Sequence, residues 1–266
     1  MGKMTVKDIL NRKKSKEEIT VLSTYDFSFA KIVDESGIDI VLVGDSVGMV
    51  CLGYESTLPV TMREMLHHTK AVSRAVKHAL IIGDMPFGSY HESPEKAARN
   101  ARRFIKEARA EAVKLEGGEN VLGQVKAIIR SGIPVMGHLG MTPQSVTQLG
   151  GYKVQGRSKK DADKILRDAL LLEEAGVFAI VLECIPYRLA KMLTKKLKVP
   201  TIGIGAGPFT DGQVLVLHDL LGFKSGVSPR FVRHYADLDK TIRSAVLRFK
   251  RDVQKQNFPS LKESFE

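Results

Sequence analysis

Four stretches decide the fold of this chain: VLVGDS (residues 41–46), LIIGDMP (residues 80–86), VKLEGG (residues 113–118) and IVLEC (residues 180–184). Each passes from aliphatic residues to an acidic one, which predicts a buried β-strand that turns acidic at its carboxyl end. In a barrel of alternating strands and helices, these ends converge on the face where active sites form. Carboxylates gathered on one face favour a cation, so the pattern predicts an enzyme that uses a divalent metal.

Segments typical of strands and helices alternate along the whole chain. VFAIVLEC (residues 177–184) is almost continuously aliphatic, as expected for a strand covered on both faces. SPEKAARNARRFIKEAR (residues 93–109) is typical of a helix with Ser93 as N-cap and Pro94 at its first position. Thr61 and Glu64 form a capping-box pattern before another helix.

About eight such units predict an α/β fold, a (β/α)₈ TIM barrel. We expect one domain over residues 1–266, with a short N-terminal helical segment and a C-terminal helix. The eighth unit is the least clear, and QVLVLHDLLG (residues 213–222) is expected to hold its strand. An open doubly wound sheet is the alternative, but GIGAG (residues 203–207) lacks the spacing of a dinucleotide-binding motif.

Length and composition are those of an ordinary globular chain. The 266 residues are 43% hydrophobic, and no apolar run reaches the roughly 20 residues needed to cross a bilayer. The charged N-terminal segment lacks the apolar core of a signal peptide, so we expect a cytoplasmic protein without a membrane partner. Cys51 and Cys184 are far apart in the sequence and are interpreted as free thiols.

The net charge of +11 allows two interpretations. Most of the basic residues fall in predicted helices, where charge runs usually form a solvated face. Nucleic-acid binding is the second hypothesis, but no helix-turn-helix, zinc-finger or RNA-recognition pattern accompanies the charge. We therefore expect no nucleic-acid partner. The residues assigned to solvated helical faces are Arg99, Arg102, Arg103, Lys106, Arg109, Lys191, Lys195, Lys196 and Lys198.

Alternation along the strands predicts which side chains share the interior of the barrel. A single acid at a strand end is usually a cap or an ion pair, but acids at four corresponding places favour a functional cluster. A carboxylate set without a cysteine or histidine cluster suits Mg²⁺, or else Mn²⁺. The residues expected to meet at the top of the interior are Asp45, Asp84, Lys114, Glu116 and Glu183.

Other residues near these ends allow more than one role. Lys114 is either a structural ion pair or a point charge for a substrate carboxylate. Ser46 either ends a strand or offers its hydroxyl and amide to a ligand. His138 is interpreted as a packed, hydrogen-bonded histidine outside the chemistry. HLGMTPQSVTQLGGYKVQGRS (residues 138–158) is too long for an ordinary turn and is typical of a functional lid or a disordered loop.

Together, these motifs resemble the ketopantoate hydroxymethyltransferase family. The resemblance covers most of the chain, from about residue 24 to residue 222, and the acidic positions show no departure from the family pattern. The matching segments are STYD (23–26), VLVGDSVGMVCLGYESTLPVT (41–61), GDMPFGSY (83–90), VKLEGG (113–118), GHLGMTPQ (137–144), GGYKVQGR (150–157), LECIP (182–186), TIGIGAG (201–207) and DGQVLVLHDLLG (211–222).

The resemblance implies an activity. A member of this family transfers a hydroxymethyl group from 5,10-methylenetetrahydrofolate to the 2-oxo acid 3-methyl-2-oxobutanoate. The product is 2-dehydropantoate (ketopantoate), an intermediate of pantothenate biosynthesis, and the reaction uses Mg²⁺-assisted enolisation followed by C–C bond formation. The family also implies a homo-oligomer, typically a decamer.

The resemblance further implies the site residues. Asp45 and Asp84 are expected to bind the metal, with Glu116 in its shell directly or through water. The substrate-binding residues are expected to be Ser46, through backbone and side chain, together with Asp45, Asp84 and Lys114. Glu183 is expected to be the catalytic proton acceptor. A related alternative is an isocitrate-lyase-like or phosphonomutase-like barrel, but the sequence has no equivalent of the cysteine-bearing catalytic loop of those enzymes.

Overall fold

The computed structural model describes residues 2–223 and 229–266. Its central feature is a closed barrel of parallel strands in the order β1 to β8, with β8 paired to β1. This confirms the predicted α/β class and the (β/α)₈ TIM barrel. The strands are β1 Ile19–Ser23, β2 Ile40–Val43, β3 Leu80–Asp84, β4 Ala112–Glu116, β5 Val135–Gly140, β6 Ala179–Glu183, β7 Thr201–Ile204 and β8 Gly212–Val216.

The helices begin where the local signals predict. Ser93 accepts a hydrogen bond from the Lys96 N–H ahead of a Pro at the first position, and Thr61 forms the expected capping box with Glu64. The described helices are α1 Val6–Ser15, α2 Phe27–Glu35, α3 Val47–Val50, α4 Met62–Ala75, α5 Pro94–Ala108, α6 Leu122–Arg130, α7 Lys159–Ala175, α8 Tyr187–Lys196, α9 Leu217–Leu220 and α10 Leu238–Gln254. Short 3₁₀ turns span Glu119–Val121, Pro143–Ser145 and Leu261–Glu263.

The chain divides into two compact units, Met1–Val216 and Leu217–Glu266. The first contains the whole barrel and α1 to α8, and the second contains α9, α10 and the last 3₁₀ turn. The predicted last unit is therefore split, because QVLVLHDLLG supplies most of β8 and then α9. The single domain over residues 1–266 stays a prediction, and Met1 and residues 224–228 lie outside the described residues. No helix in the described ranges is both long and apolar enough to span a membrane.

Helix α1 covers the N-terminal end of the barrel. Ile9 is fully buried in the same apolar cluster as the barrel interior. Two ion pairs fix the helix to residues that precede strands: Arg12 lies 2.7 Å from Asp39, and Lys13 lies 2.7 Å from Asp211. This end is closed by packing, which leaves the opposite end for polar groups.

The inward face of the barrel changes from aliphatic to polar toward the C-terminal ends of its strands. The apolar cluster holds one or two inward residues of each strand, and the next inward residue lies two positions after the last of them. On four strands that next residue is ionisable. The aliphatic and ionisable partners are Ile82 and Asp84, Ala112 and Lys114, Met136 and His138, and Val181 and Glu183.

Asp34, near the end of α2, ties that helix to the segment before β3. The side chain is buried and accepts hydrogen bonds from the N–H groups of Lys77 (2.8 Å), His78 (2.9 Å) and Ala79 (2.7 Å). Burial by itself raises the pKa of Asp34, but the three N–H donors outweigh it and hold the pKa below its usual value of 3.8. The carboxylate therefore stabilises the folded state.

We predict that Asp34→Asn lowers the free energy of unfolding by about 1–3 kcal/mol at pH 7. A depressed folded pKa gives stability that is fully present above the unfolded value and is lost as the pH falls through the folded one. The deficit of the variant should therefore shrink below about pH 4, as measured by urea unfolding at several pH values. Asp163→Asn, at an exposed position of α7, is the control and should change little. A deficit that does not change with pH would contradict the assignment.

Candidate active site

Ionisable side chains gather at the C-terminal end of the barrel. Asp84, Glu116 and Glu183 are the last residues of β3, β4 and β6, and Asp45 follows the end of β2 by two residues. Asp45, Asp84, Lys114 and Glu116 are each at most 4% exposed. The structure therefore brings four of the five predicted residues together, and the fifth, Glu183, joins them through His138. Alternation placed Asp45 on the face of Val41 and Val43, but Ile40 and Leu42 are the β2 residues in the interior cluster, so Asp45 enters only because β2 ends at Val43.

Lys114 is the cation at the centre of this cluster. Its Nζ donates to Asp84 Oδ1 at 2.7 Å and lies 3.8 Å from Glu116 Oε1. Burial lowers the pKa of Lys114, but Asp84 and Glu116 outweigh burial and raise it, so the ammonium stays charged. Of the two roles expected for Lys114, the ion pair is present, although its nearer partner is Asp84 and not Glu116.

The two aspartates lie close enough to affect each other. The Asp45 backbone N–H donates to Asp84 Oδ2 at 3.3 Å. Burial raises the pKa of Asp45, and the nearby charges of Asp84 and Glu116 raise it further. Burial also raises the pKa of Asp84, although Lys114 opposes this. Three carboxyl groups thus share one ammonium, and a further cation beside them would favour their ionised forms.

Gln144 is a member of the cluster that sequence reasoning missed. It lies in the 3₁₀ turn Pro143–Ser145, and its side chain is buried. Its Nε2 donates to Asp45 Oδ2 at 2.8 Å and to the Met85 carbonyl at 2.9 Å, while its Oε1 accepts from Tyr90 Oη at 2.7 Å. Its backbone N–H donates to Glu116 Oε2 at 3.0 Å. One residue therefore orients two carboxylates, and the motif GHLGMTPQ was the available signal.

His138 is a residue that the sequence interpretation placed outside the chemistry. It is buried, as expected, but it lies inside the cluster: Nδ1 is 3.3 Å from Glu116 Oε1, and Nε2 is 3.2 Å from Glu183 Oε2. These contacts are charge contacts, and neither ring nitrogen has a hydrogen-bond partner among the described residues. Burial and Lys114 lower the pKa of His138, but the two glutamates outweigh them and raise it to about 9.

Ser46 and the long segment after β5 border the cluster. Ser46 is half-buried, and its Oγ lies 2.7 Å from Tyr25 Oη, with either atom able to donate. In the predicted lid, Tyr152 Oη approaches Met49 Sδ at 3.8 Å, and the Gln155 N–H donates to the Cys184 carbonyl at 2.9 Å. Both contacts place the segment against the C-terminal end of the barrel, and its role as a lid stays a prediction.

The donor set fits Mg²⁺. Within residues 2–223 and 229–266, no three His, Cys, Asp or Glu side chains form a ready-made metal cluster. Mg²⁺, however, binds through one or two carboxylates and completes its shell with water and substrate oxygens. Asp45 and Asp84 supply two carboxylates, and Glu116 Oε1 is a buried anionic oxygen without a hydrogen-bond partner in the described ranges. These three residues could hold the ion.

The fold and the carboxylate cluster at the C-terminal face define a barrel enzyme with a site suited to a divalent metal. A family model described as ketopantoate hydroxymethyltransferase matches residues 3–261. A 3-methyl-2-oxobutanoate hydroxymethyltransferase of Thermoanaerobacter pseudethanolicus is 59% identical over 253 residues, covering 95% of this chain and 92% of the relative. A 3-methyl-2-oxobutanoate hydroxymethyltransferase of Syntrophomonas wolfei is 53% identical over 265 residues, covering 100% of this chain and 96% of the relative. The chain therefore belongs to the ketopantoate hydroxymethyltransferase family and is an enzyme of the transferase class.

Solved structures agree on the fold alone. A phosphonopyruvate hydrolase in complex with oxalate and Mg²⁺ superimposes with a TM-score of 0.62 at 14% identity, covering 98% of this chain and 93% of that one. A 2,3-dimethylmalate lyase superimposes with a TM-score of 0.62 at 13% identity, covering 99% of this chain and 89% of that one. The relation to the isocitrate-lyase-like alternative is thus one of architecture, whereas the close sequence relatives are hydroxymethyltransferases.

We predict that Gln144→Leu lowers the free energy of unfolding by about 1–3 kcal/mol, because Asp45 and Tyr90 lose their buried partner. Tyr90→Phe should lower the free energy of unfolding by less, because it removes only one hydroxyl. The double variant should cost less than the sum of the two, because both changes break the same hydrogen bond. Urea unfolding of the four proteins gives the coupling. Gln148→Leu, at an exposed position of the same segment, is the control. Strict additivity would contradict the network.

Proposed function

We propose that this enzyme transfers a hydroxymethyl group from 5,10-methylenetetrahydrofolate to 3-methyl-2-oxobutanoate, with Mg²⁺ at the carboxylate cluster. With one water consumed, the products are 2-dehydropantoate and tetrahydrofolate, which places the enzyme in pantothenate biosynthesis. One observation carries the proposal: a buried ammonium faces three buried carboxylates at the strand ends, in a chain 59% identical to enzymes named for this transfer.

The residues divide into those that hold charge and those that move a proton. Asp45 and Asp84 hold the metal, and Glu116 belongs to its shell. When bound, Mg²⁺ supplies Lewis-acid polarisation of the 2-oxo group. Lys114 keeps its charge and pairs with the substrate carboxylate. Ser46, which immediately precedes the short helix α3, offers its hydroxyl and N–H to the same substrate.

Glu183 is the proposed general base. Its side chain is 16% exposed, more open than the other acids of the cluster, so it can reach a substrate held by them. It accepts the proton from C3 of the oxo acid. The C3 carbon then forms a bond to the one-carbon unit of the folate. His138, 3.2 Å away, holds the Glu183 carboxylate toward the cluster.

Localisation and assembly are a separate part of the proposal. We infer a cytoplasmic homo-oligomer, a decamer by family resemblance, with no nucleic-acid or membrane partner. The apolar face of α10 supports association, because Ile242, Val246, Phe249 and Val253 are between 45% and 59% exposed. These residues recur at helical spacing on one side of the helix.

The direct test is product formation. Purified protein with Mg²⁺, 3-methyl-2-oxobutanoate and 5,10-methylenetetrahydrofolate should form 2-dehydropantoate, detected by mass spectrometry. Removal of the metal with EDTA should abolish this, and added Mg²⁺ should restore it. Asp84→Asn should lose turnover by orders of magnitude because it removes an anionic ligand, whereas the exposed control Asp163→Asn should not. Absence of product under all conditions would refute the proposed function, and full activity without metal would refute the metal assignment.

The role of Glu183 is tested by hydrogen exchange. In D₂O with Mg²⁺, the wild type should exchange the C3 hydrogen of 3-methyl-2-oxobutanoate, which proton NMR follows. Glu183→Gln keeps the size but removes the base, so exchange and turnover should both fall by about 10²–10⁴-fold. Glu174→Gln, at an exposed position of α7, is the matched control. A variant that exchanges at the wild-type rate but forms no product would assign Glu183 to a later step.

A further inference from the structure

Tyr152 lies in the segment between β5 and α7 and contacts the rim of the barrel. Its Oη is 3.8 Å from Met49 Sδ, although 103 positions of sequence separate the two residues. Met49 belongs to α3, the short helix that follows β2. Three residues after Tyr152, the Gln155 N–H donates to the carbonyl of Cys184 at 2.9 Å, directly after the end of β6.

These two contacts lie on opposite sides of the barrel. In the closed order β1 to β8, strands β2 and β6 are four strands apart, which is half of the ring. The backbone from Tyr152 to Gln155 spans at most about 11 Å when it is fully extended. Along the rim, four strand spacings of about 4.8 Å separate β2 from β6, which is a longer path. The chain and the Tyr152 ring therefore cross the mouth of the barrel.

The backbone on both sides of Tyr152 is turned tightly. Gly151, directly before it, has a φ of +105°, and its N–H donates to the Val146 carbonyl at 2.9 Å. Gly156 has a φ of +74°, and a Cβ there would lie 2.6 Å from Leu189 Cδ2 of α8. Glycine is the residue that accepts such conformations without strain. The direction of the Tyr152 side chain is thus set by the fold of the segment.

The Tyr152 ring lies near the carboxylate cluster. Burial raises the pKa of Tyr152, and the charges of Glu183, Asp45 and Glu116 raise it further. These three acids stand at the ends of β6, β2 and β4, so a phenol that responds to all of them lies over the cluster. The phenol stays neutral and presents an aromatic ring to a cluster made mostly of charged groups.

An oxo acid held by this cluster has two chemically different ends. Its carboxylate and keto oxygens are directed to Lys114 and the proposed metal, and its C3 is directed to the proposed base Glu183. The methyl groups on C3 are apolar, and removing them from water is favourable. The contact between Gln155 and Cys184 brings the segment of Tyr152 beside Glu183, on the side where these methyl groups lie.

We propose that Tyr152, together with Met49, is a specificity-determining residue that covers the methyl groups at C3 of the bound 2-oxo acid. This inference rests on the proposed oxo-acid substrate. An aromatic ring and a thioether contact each other and apolar groups favourably, so the pair suits a branched carbon. The acid with two methyl groups on C3 is then preferred over an acid with one.

Binding is tested by fluorescence, because the chain contains no tryptophan. Tyr152→Trp introduces a single indole over the mouth. With Mg²⁺ and without folate, added 3-methyl-2-oxobutanoate should change its emission until the site is saturated. Met192→Trp is the control, since Met192 is 42% exposed on α8, away from the buried face of that helix, and its emission should not respond. A Tyr152→Trp protein that forms product without any change in emission would overturn the inference.

Specificity is tested by kcat/KM for 3-methyl-2-oxobutanoate and for 2-oxobutanoate, which lacks one C3 methyl group. The wild type should prefer the branched acid by about tenfold or more, since one such group in an apolar pocket is worth about that much. Tyr152→Ala should lose most of this preference. Tyr152→Phe should keep it because the ring remains.

The outcomes separate this inference from the proposed function. An unchanged preference in Tyr152→Ala, in an enzyme that turns over both acids, would overturn the inference and leave the proposed function in place. Failure of the wild type to turn over either acid would refute the proposed function. A saturable change in the emission of Tyr152→Trp would in that case still support the position of Tyr152 over a bound oxo acid.

Discussion

The buried ion pair of Lys114 and Asp84 is the interaction on which the site depends. Burying an isolated charge costs several kcal/mol, and the end of this barrel buries three carboxylates. Lys114 offsets part of that cost by lying 2.7 Å from one of them and 3.8 Å from another. Gln144 supplies neutral donors to one oxygen of Glu116 and one of Asp45. The cluster still holds more acid than base, which is the condition that makes a divalent cation favourable there.

The barrel separates stability from chemistry along its axis. Aliphatic side chains and α1 fill and close the N-terminal end, so the packing there does not require polar groups. One alternation step further along the strands, ionisable groups replace them. The long segment after β5 contributes both to the site and to packing. Gln144 near its start orients the carboxylates, while Tyr152 and Gln155 further along contact the rim of the barrel.

Most elements and most site residues could be predicted because their signals are local. Period-two alternation assigned Asp84, Lys114, Glu116 and Glu183 to the interior, and a hydroxyl N-cap such as Ser93 marked the start of a helix. Asp45 is the exception: Ile40 and Leu42 face the interior, not its alternation partners Val41 and Val43, and Asp45 joins the cluster only because β2 ends at Val43. The roles of these residues came from family resemblance and not from a local pattern, because no periodicity in the chain distinguishes a base from a metal ligand.

The sequence by itself determined which residues form strands, which faces they share, and that acids end those strands. Only the tertiary structure decided which groups touch. Interstrand register places His138 opposite Glu116 and Gly140 opposite Glu183, which brings the His138 ring between two glutamates. Gln144 reaches Asp45 across 99 positions of sequence. Such contacts depend on how the closed barrel aligns distant strands, and no local pattern encodes that alignment.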